Sequence, residues 1–252
     1  MMGLKEDIQR TIGYAKKFGC PINEKEICER LISKKIYDLK EIKKELKNFK
    51  IDNNKNKWVK IKIKKAQDLA KLLGESFKNI KMIGITGSVA AGYPKKNDDI
   101  DLMIITKKNK LWITRFKLRW FIFMNKIPHR KYDQKENKDE FCFNFWLDNN
   151  NLLLPKKRQN LRSAMDLILM KPILNQENTY ERFILKNKWA EKYLATGYDR
   201  KISNFQFLIS NENKDNYLDE IINKLFFWPQ YWYMKRKITN EKIDYHQAFF
   251  YK

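Results

Sequence analysis

At 252 residues the chain is long enough for a catalytic core and a small companion domain. Lys and Arg number 53 against 30 Asp and Glu, a net charge of +23 that favours phosphate-rich partners and salt-dependent binding, although a Lys-rich and Asn-rich composition supplies part of that excess by itself. Cys20, Cys28 and Cys142 lack the spacing of a disulfide framework or zinc site, no apolar run approaches the ~20 residues of a membrane span, and the start has no signal core, so a cytoplasmic protein with no membrane partner is expected.

In chain order, Ile8, Ile12, Ala15 and Phe18 form a first helical stripe. Asn23 with Glu26 makes a capping-box pattern, and Ile22 with Ile27 closes a hydrophobic staple, so a second helix starts at Glu24 and ends near Ser33. Asp38 with Glu41 repeats the start signal, and Leu39, Ile42, Leu46 and Phe49 follow at helical spacing. Asn53-Asn54-Lys55-Asn56-Lys57 then separates Phe49-Lys50-Ile51 from the alternating Trp58-Val59-Lys60-Ile61-Lys62-Ile63, the pattern of a β-hairpin. Three helices and a hairpin predict a winged helix over residues 1–64. Residues 1–65 hold 19 Lys and Arg against 9 Asp and Glu, which suits nucleic acid as a partner. Glu41 and Glu45 mixed among Lys40, Lys43, Lys44 and Lys47 equally suit a solvated face.

The most informative stretch runs from Met82-Ile83-Gly84-Ile85-Thr86-Gly87-Ser88 through Gly92-Tyr93-Pro94 to Asp98-Asp99-Ile100-Asp101-Leu102. An apolar strand ends in a Gly-Ser loop, and a second apolar strand opens on two acids. Strand alternation puts the Asp99 and Asp101 carboxylates on one face, where they repel unless a divalent cation neutralises them. Gly87 lets a phosphate approach the backbone, and the Ser88 hydroxyl can bind its oxygens. Asp98 is expected to be a helper or solvent-facing neighbour.

Leu111 to Phe123 reads as a basic, aromatic-rich helix, with Arg115 and Arg119 four apart on one face where they can neutralise a triphosphate or serve as surface cations on a core helix. Phe141 to Leu147 alternates as a third strand. Beyond residue 156 the pattern is helical: Ala164, Leu167 and Ile168 lead to Pro172, Tyr180 to Leu194 forms one amphipathic helix, and the aromatic run Leu225 to Met234 suits burial against the sheet. Lys235, Arg236 and Lys237 then form a basic tail to that run. Neither histidine, His129 nor His246, has a motif around it.

Residues 83–105, with the Gly-Ser loop followed by Asp99-Ile100-Asp101 between apolar strands, resemble the DNA-polymerase-β-like nucleotidyltransferases. A looser similarity to nucleotidyltransferase-domain proteins with an N-terminal winged helix runs along the chain, through Ile12-Gly13-Tyr14-Ala15, Lys186 to Leu194 and Ala248-Phe249-Phe250. The resemblance implies an α+β fold: a winged helix over 1–64, a mixed-sheet nucleotidyltransferase core over 65–152 and a helical part over 153–252. It also implies an NTP as substrate, Mg²⁺ or Mn²⁺ on Asp99 and Asp101, the triphosphate at Gly87 and Ser88, and transfer of NMP to an acceptor hydroxyl on protein, RNA or a small molecule. The family places a third carboxylate on a later strand. Here Asn144 stands in that position, and its amide can ligate a metal but cannot take a proton at neutral pH. Glu140 shares its parity and is the expected substitute, with Asp139 and Asp148 ranked behind it. The alternative is a nucleotide-sensing or DNA-binding regulator that keeps the fold without turnover.

Overall fold

A computed structural model describes residues 3–20, 22–49, 51, 56–130, 139–205, 217–235 and 243–250. Three helices come first: α1 (Leu4–Lys17), α2 (Glu24–Arg30) and α3 (Leu39–Leu46). The capping box forms as the sequence predicts. Asn23 Oδ1 accepts from the Glu26 N–H at 2.9 Å, and Glu26 Oε2 accepts from the Asn23 N–H at 3.0 Å. Asp38 accepts from the Lys40 N–H at the start of α3. Ile8, Ala15, Ile22, Ile27, Leu31, Ile42 and Leu46 close a small core of their own.

The expected wing is corrected by a helix. Residues 57–76 form α4 (Lys57–Ser76), whose first turn is capped by Asn56, and it continues through the expected boundary at 64. Six residues of period-two alternation were outweighed by Lys62, Ala66, Leu69, Ala70 and Leu73, which bury one face of a 20-residue helix. Asn53, Asn54 and Lys55 of the expected turn lie outside the described residues, as do Arg236 and Lys237 of the basic tail.

The remaining elements are β1 (Ile80–Ile85), α5 (Gly87–Ala91), β2 (Ile100–Thr106), α6 (Leu111–Met124), β3 (Phe141–Asp148), α7 (Leu161–Leu169), β4 (Lys171–Asn175), α8 (Thr179–Lys186), α9 (Glu191–Ser203), α10 (Tyr217–Lys235), β5 (Ile243–Asp244) and β6 (Gln247–Phe249). They build one mixed sheet in the order β4-β1-β2-β3-β6-β5. Only β2 and β3 run parallel; the other neighbours are antiparallel. Ile83, Ile85, Ile100, Leu102 and Ile104 face a core shared with α4, α6 and α10. Met82, Met103, Ile105, Phe145 and Leu147 face the opposite core, against α7, α8 and α9.

The C-terminal third, expected to be mostly helical, also contributes strands to the sheet. Lys171–Asn175 is a strand, and Pro172 fits there because β4 is a sheet edge with no ladder partner on one side. The single helix expected over 180–194 is broken at Asn187, whose fully buried amide donates to Leu152 O and Phe183 O and accepts from Leu154 N–H and Trp189 Nε1. Four satisfied hydrogen bonds hold the chain out of helical geometry. In α10 only part of the aromatic run is buried: Phe227 and Met234 pack inward, whereas Leu225, Trp228, Trp232 and Tyr233 are exposed.

The N-terminal helices are stitched to α9. Ser33 donates to Tyr193 O and accepts from the Ala195 N–H, and the Tyr37 N–H donates to Thr196 Oγ1. At this junction Leu194 leaves helical geometry (φ −135°, ψ 54°), which frees those α9 backbone groups to bond across. Gly197 brings α9 against the Glu29 carbonyl of α2.

Candidate active site

The site begins at the ends of β1 and β2. Ile100 and Leu102 are buried in the α6 face, so alternation turns Asp99 and Asp101 to the other side, with Met103. One ligand atom from each of Asp99, Asp101 and Cys142 lies within 4.8 Å of the others. Buried Lys62 of α4 fixes the approach to this pair, its Nζ donating to Asp98 O at 2.6 Å and to Asp139 Oδ1 at 2.9 Å. Asp98 itself accepts from the Lys95 N–H, a turn contact rather than a contribution to the cluster.

Gly87 stands directly over Asp101. Its φ is +63°, and a Cβ there would overlap Asp101 Oδ2 and lie 3.1 Å from Cγ. Absence of a side chain is therefore required first by the carboxylate. Ser88 follows in the first turn of α5, partly exposed, and the Thr86 N–H donates to Asp101 O at 3.0 Å, holding β1 against β2 where the acids emerge.

A bulge shapes the third strand. Asp101 pairs with Cys142 but Met103 pairs with Phe145, so β3 has an extra residue there. Cys142, Asn144 and Phe145 consequently all address the face of Asp101, which simple parity does not allow. Asn144 Nδ2 donates to Asp101 Oδ1 at 2.6 Å, and Cys142 Sγ donates to Asn144 Oδ1 at 2.7 Å.

A family model for the nucleotidyltransferase domain matches residues 66–245. The chain belongs to the nucleotidyltransferase domain family. Searches of the curated proteins and of the solved structures found no match. The match begins inside α4 and ends just after β5, so the nucleotidyltransferase domain takes in Asp99, Asp101, Cys142 and all of α7 to α10. No helix among the described residues is long and apolar enough to cross a membrane.

Nucleotidyltransferase domains generally use divalent metals, and the donors here fit one hard cation. Two carboxylates supply the charge. Burial, then the charges of Asp101 and Asp99, push the Cys142 thiol far above its ordinary range, so it stays protonated and is a poor ligand for Mg²⁺ or Mn²⁺. Arg130 Nη1 donates to Asp99 Oδ2 at 2.8 Å and Asn144 occupies one Asp101 oxygen, so one carboxylate oxygen of each acid is already engaged by a donor.

The other expected site residues fall elsewhere. Glu140 precedes β3, its backbone oxygen accepting from the Ile100 N–H; Oε2 is buried without a hydrogen-bond partner, and Glu140 is not among the three converging groups. Asp139 is taken by Lys62 and Lys65. Burial alone would raise its pKa, but their hydrogen bonds hold it below the ordinary carboxylate range. Asp148, fully buried, accepts from the Asn109 and Asn150 N–H groups and His246 Nδ1. Arg115 and Arg119 lie on α6, across the sheet from Asp101. Arg115 is buried, donates to Gln230 and packs over the Trp112 and Phe250 rings. Burial, then the Arg119 charge, lowers its pKa to about 9. It binds α6 to α10.

Next to the site, on the Asp101 face, lies a cavity of about 370 Å³ reaching from Thr86, Met103 and Phe145 to Arg162 and Asp166 of α7. A more open depression of about 540 Å³ between α2, α3 and Arg200 contains none of the site residues. Burial raises Asp166 to about 6, with Arg162 opposing. Folding then costs free energy wherever the unfolded chain is ionised and the folded carboxyl resists: fully above pH 6, and not at all below its unfolded value. Asp166→Asn should raise the stability at pH 8 by up to about 3 kcal/mol. Melting scans from pH 8 to pH 5 should show that gain shrinking; a pH-independent gain would contradict the burial account.

Proposed function

We propose that this chain transfers a nucleoside monophosphate from an NTP to an acceptor hydroxyl, with Asp99 and Asp101 holding Mg²⁺ or Mn²⁺ and Gly87 and Ser88 receiving the triphosphate. The supporting observation is the convergence of two carboxylates directly under a positive-φ glycine, inside a nucleotidyltransferase domain. The acceptor oxygen bonds to the α-phosphorus as that phosphorus releases the oxygen bridging to the β-phosphate, and pyrophosphate leaves. The metal, when bound, offsets charge building on the phosphate oxygens. Glu140, which precedes the Ile100–Phe141 pair and lies outside the Asp99–Asp101 cluster, is the proposed acceptor of the proton. Gly87 keeps Asp101 in place, Ser88 donates to phosphate, and Arg130 turns from Asp99 to the incoming anion.

A second reading is favoured by one observation: the third strand presents Asn144 and a protonated Cys142 to Asp101 where a third acid would complete the site. On that reading the protein binds nucleotide without turnover and acts as a sensor or DNA-binding regulator through α3 and the residue that follows it, where Lys40, Lys43, Lys44 and Lys47 are exposed. Incubation with each α-labelled NTP and Mg²⁺ or Mn²⁺ separates the two. Label transferred to the chain itself, RNA or lysate protein, with pyrophosphate released, supports transfer; nucleotide retained without pyrophosphate supports the regulator.

A further inference from the structure

Thr86 holds an unexplained polar group. Its side chain is 4 % exposed, its Oγ1 has no hydrogen-bond partner, and it lines the cavity beside the site. A buried hydroxyl left unpaired costs free energy, and a polar group of a ligand at that position removes the cost. Thr86 immediately precedes Gly87. Met103, in the cavity floor, is two residues beyond Asp101 on the same face, about 7 Å along the strand. A nucleotide with its phosphates over Gly87 and the two acids therefore has Thr86 beside its sugar and the cavity ahead of its base.

The cavity walls differ in kind. Met103, Phe145, Leu154 and Phe183 give apolar surface for a ring, while Arg162 and Asp166 lie four apart on one face of α7 and both line the space. Asp166 is the sole acid among the lining residues. An ionised carboxylate only accepts, and with two oxygens it matches two adjacent donors. Guanine alone offers that edge, N1–H beside the N2 amino group. Adenine and cytosine set an amino group next to a bare ring nitrogen, and uracil sets its N3–H between two carbonyls, so each brings an acceptor against the carboxylate. A guanidinium pairs bidentately with guanine O6 and N7, which suits Arg162.

We propose that the cavity behind Thr86 holds the nucleoside of the donor nucleotide and that Asp166, with Arg162, selects guanine, making GTP the donor. This rests on the nucleotide-transfer reading above. The test is calorimetric titration of the full chain with GTP, ATP, CTP and UTP in Mg²⁺, for the wild type, Asp166→Asn and Thr86→Val. GTP should bind about tenfold or more tightly than the others, and Asp166→Asn should remove that preference by weakening GTP alone, since a carboxamide presents a donor to one of guanine's two. Thr86→Val, isosteric, should weaken all four alike and leave their order intact. Equal affinities in the wild type, or a GTP preference that survives in Asp166→Asn, overturns guanine selection while leaving nucleotide binding standing. No binding of any NTP overturns the nucleotide reading itself, and the pocket assignment with it.

Discussion

Gly87→Ala should reduce nucleotide transfer by about a hundredfold or more, the cost expected when a reacting group is displaced by about 1 Å. The new Cβ would overlap Asp101 Oδ2, and Asp101 cannot simply swing away, because Asn144 holds its other oxygen. The φ of +63° adds about 1–2 kcal/mol of backbone strain for any L side chain. Both effects have the same sign. Pyrophosphate release by purified Gly87→Ala, beside a urea melt, reads them separately: a large fall in rate with a modest fall in stability is expected. Wild-type rates in this variant would show that Asp101 does not need its observed position.

Gly197→Ala should be the most destabilising single methyl in the described chain. In an exposed helix, Ala would gain about 1 kcal/mol over Gly. Here the added carbon would overlap Glu29 O and lie 3.2 Å from its carbonyl carbon, both backbone atoms of α2 that no rotamer change can move. Overpacking of this kind costs about 1–3 kcal/mol, and separating α9 from α2 would also strain the bonds from Ser33 and Tyr37 to Tyr193, Ala195 and Thr196. The clash outweighs the propensity. A lowered urea midpoint with an unchanged m-value is the expected result, and an unchanged midpoint would mean that α2 and α9 are not in contact as described.

Signals that reside in a few neighbouring residues were legible. The Asn23 box, the Asp38 cap, the two strands around Gly87-Ser88 and the shared face of Asp99 and Asp101 all follow from local spacing, and each is found in the structure. Elements that depend on distant partners were not. Trp58 to Ile63 alternate locally, but the burial of Ala66, Leu69 and Leu73 against the sheet decides for helix. Asn187 breaks a good amphipathic pattern because residues 152–154, far back in the chain, use its amide. The bulge that adds Phe145 to the face shared by Cys142, Asn144 and Asp101 has no sequence mark, and neither does Arg130, a lone arginine in a loop that reaches Asp99. The cavity needs α7, some sixty residues beyond Asp101, and the unpaired Thr86 hydroxyl is visible only once that helix is in place.

The most direct measurement of the central claim is nucleotide affinity with and without Mg²⁺ for the wild type and Asp101→Asn. Asp101 is partly exposed and contributes little to the core, so Asp101→Asn should melt within about 0.5 kcal/mol of the wild type. The wild type should bind NTP more tightly in Mg²⁺, and Asp101→Asn should lose that metal-dependent gain. Equal Mg²⁺-dependent affinity in the two proteins would contradict a metal-held nucleotide site on Asp99 and Asp101.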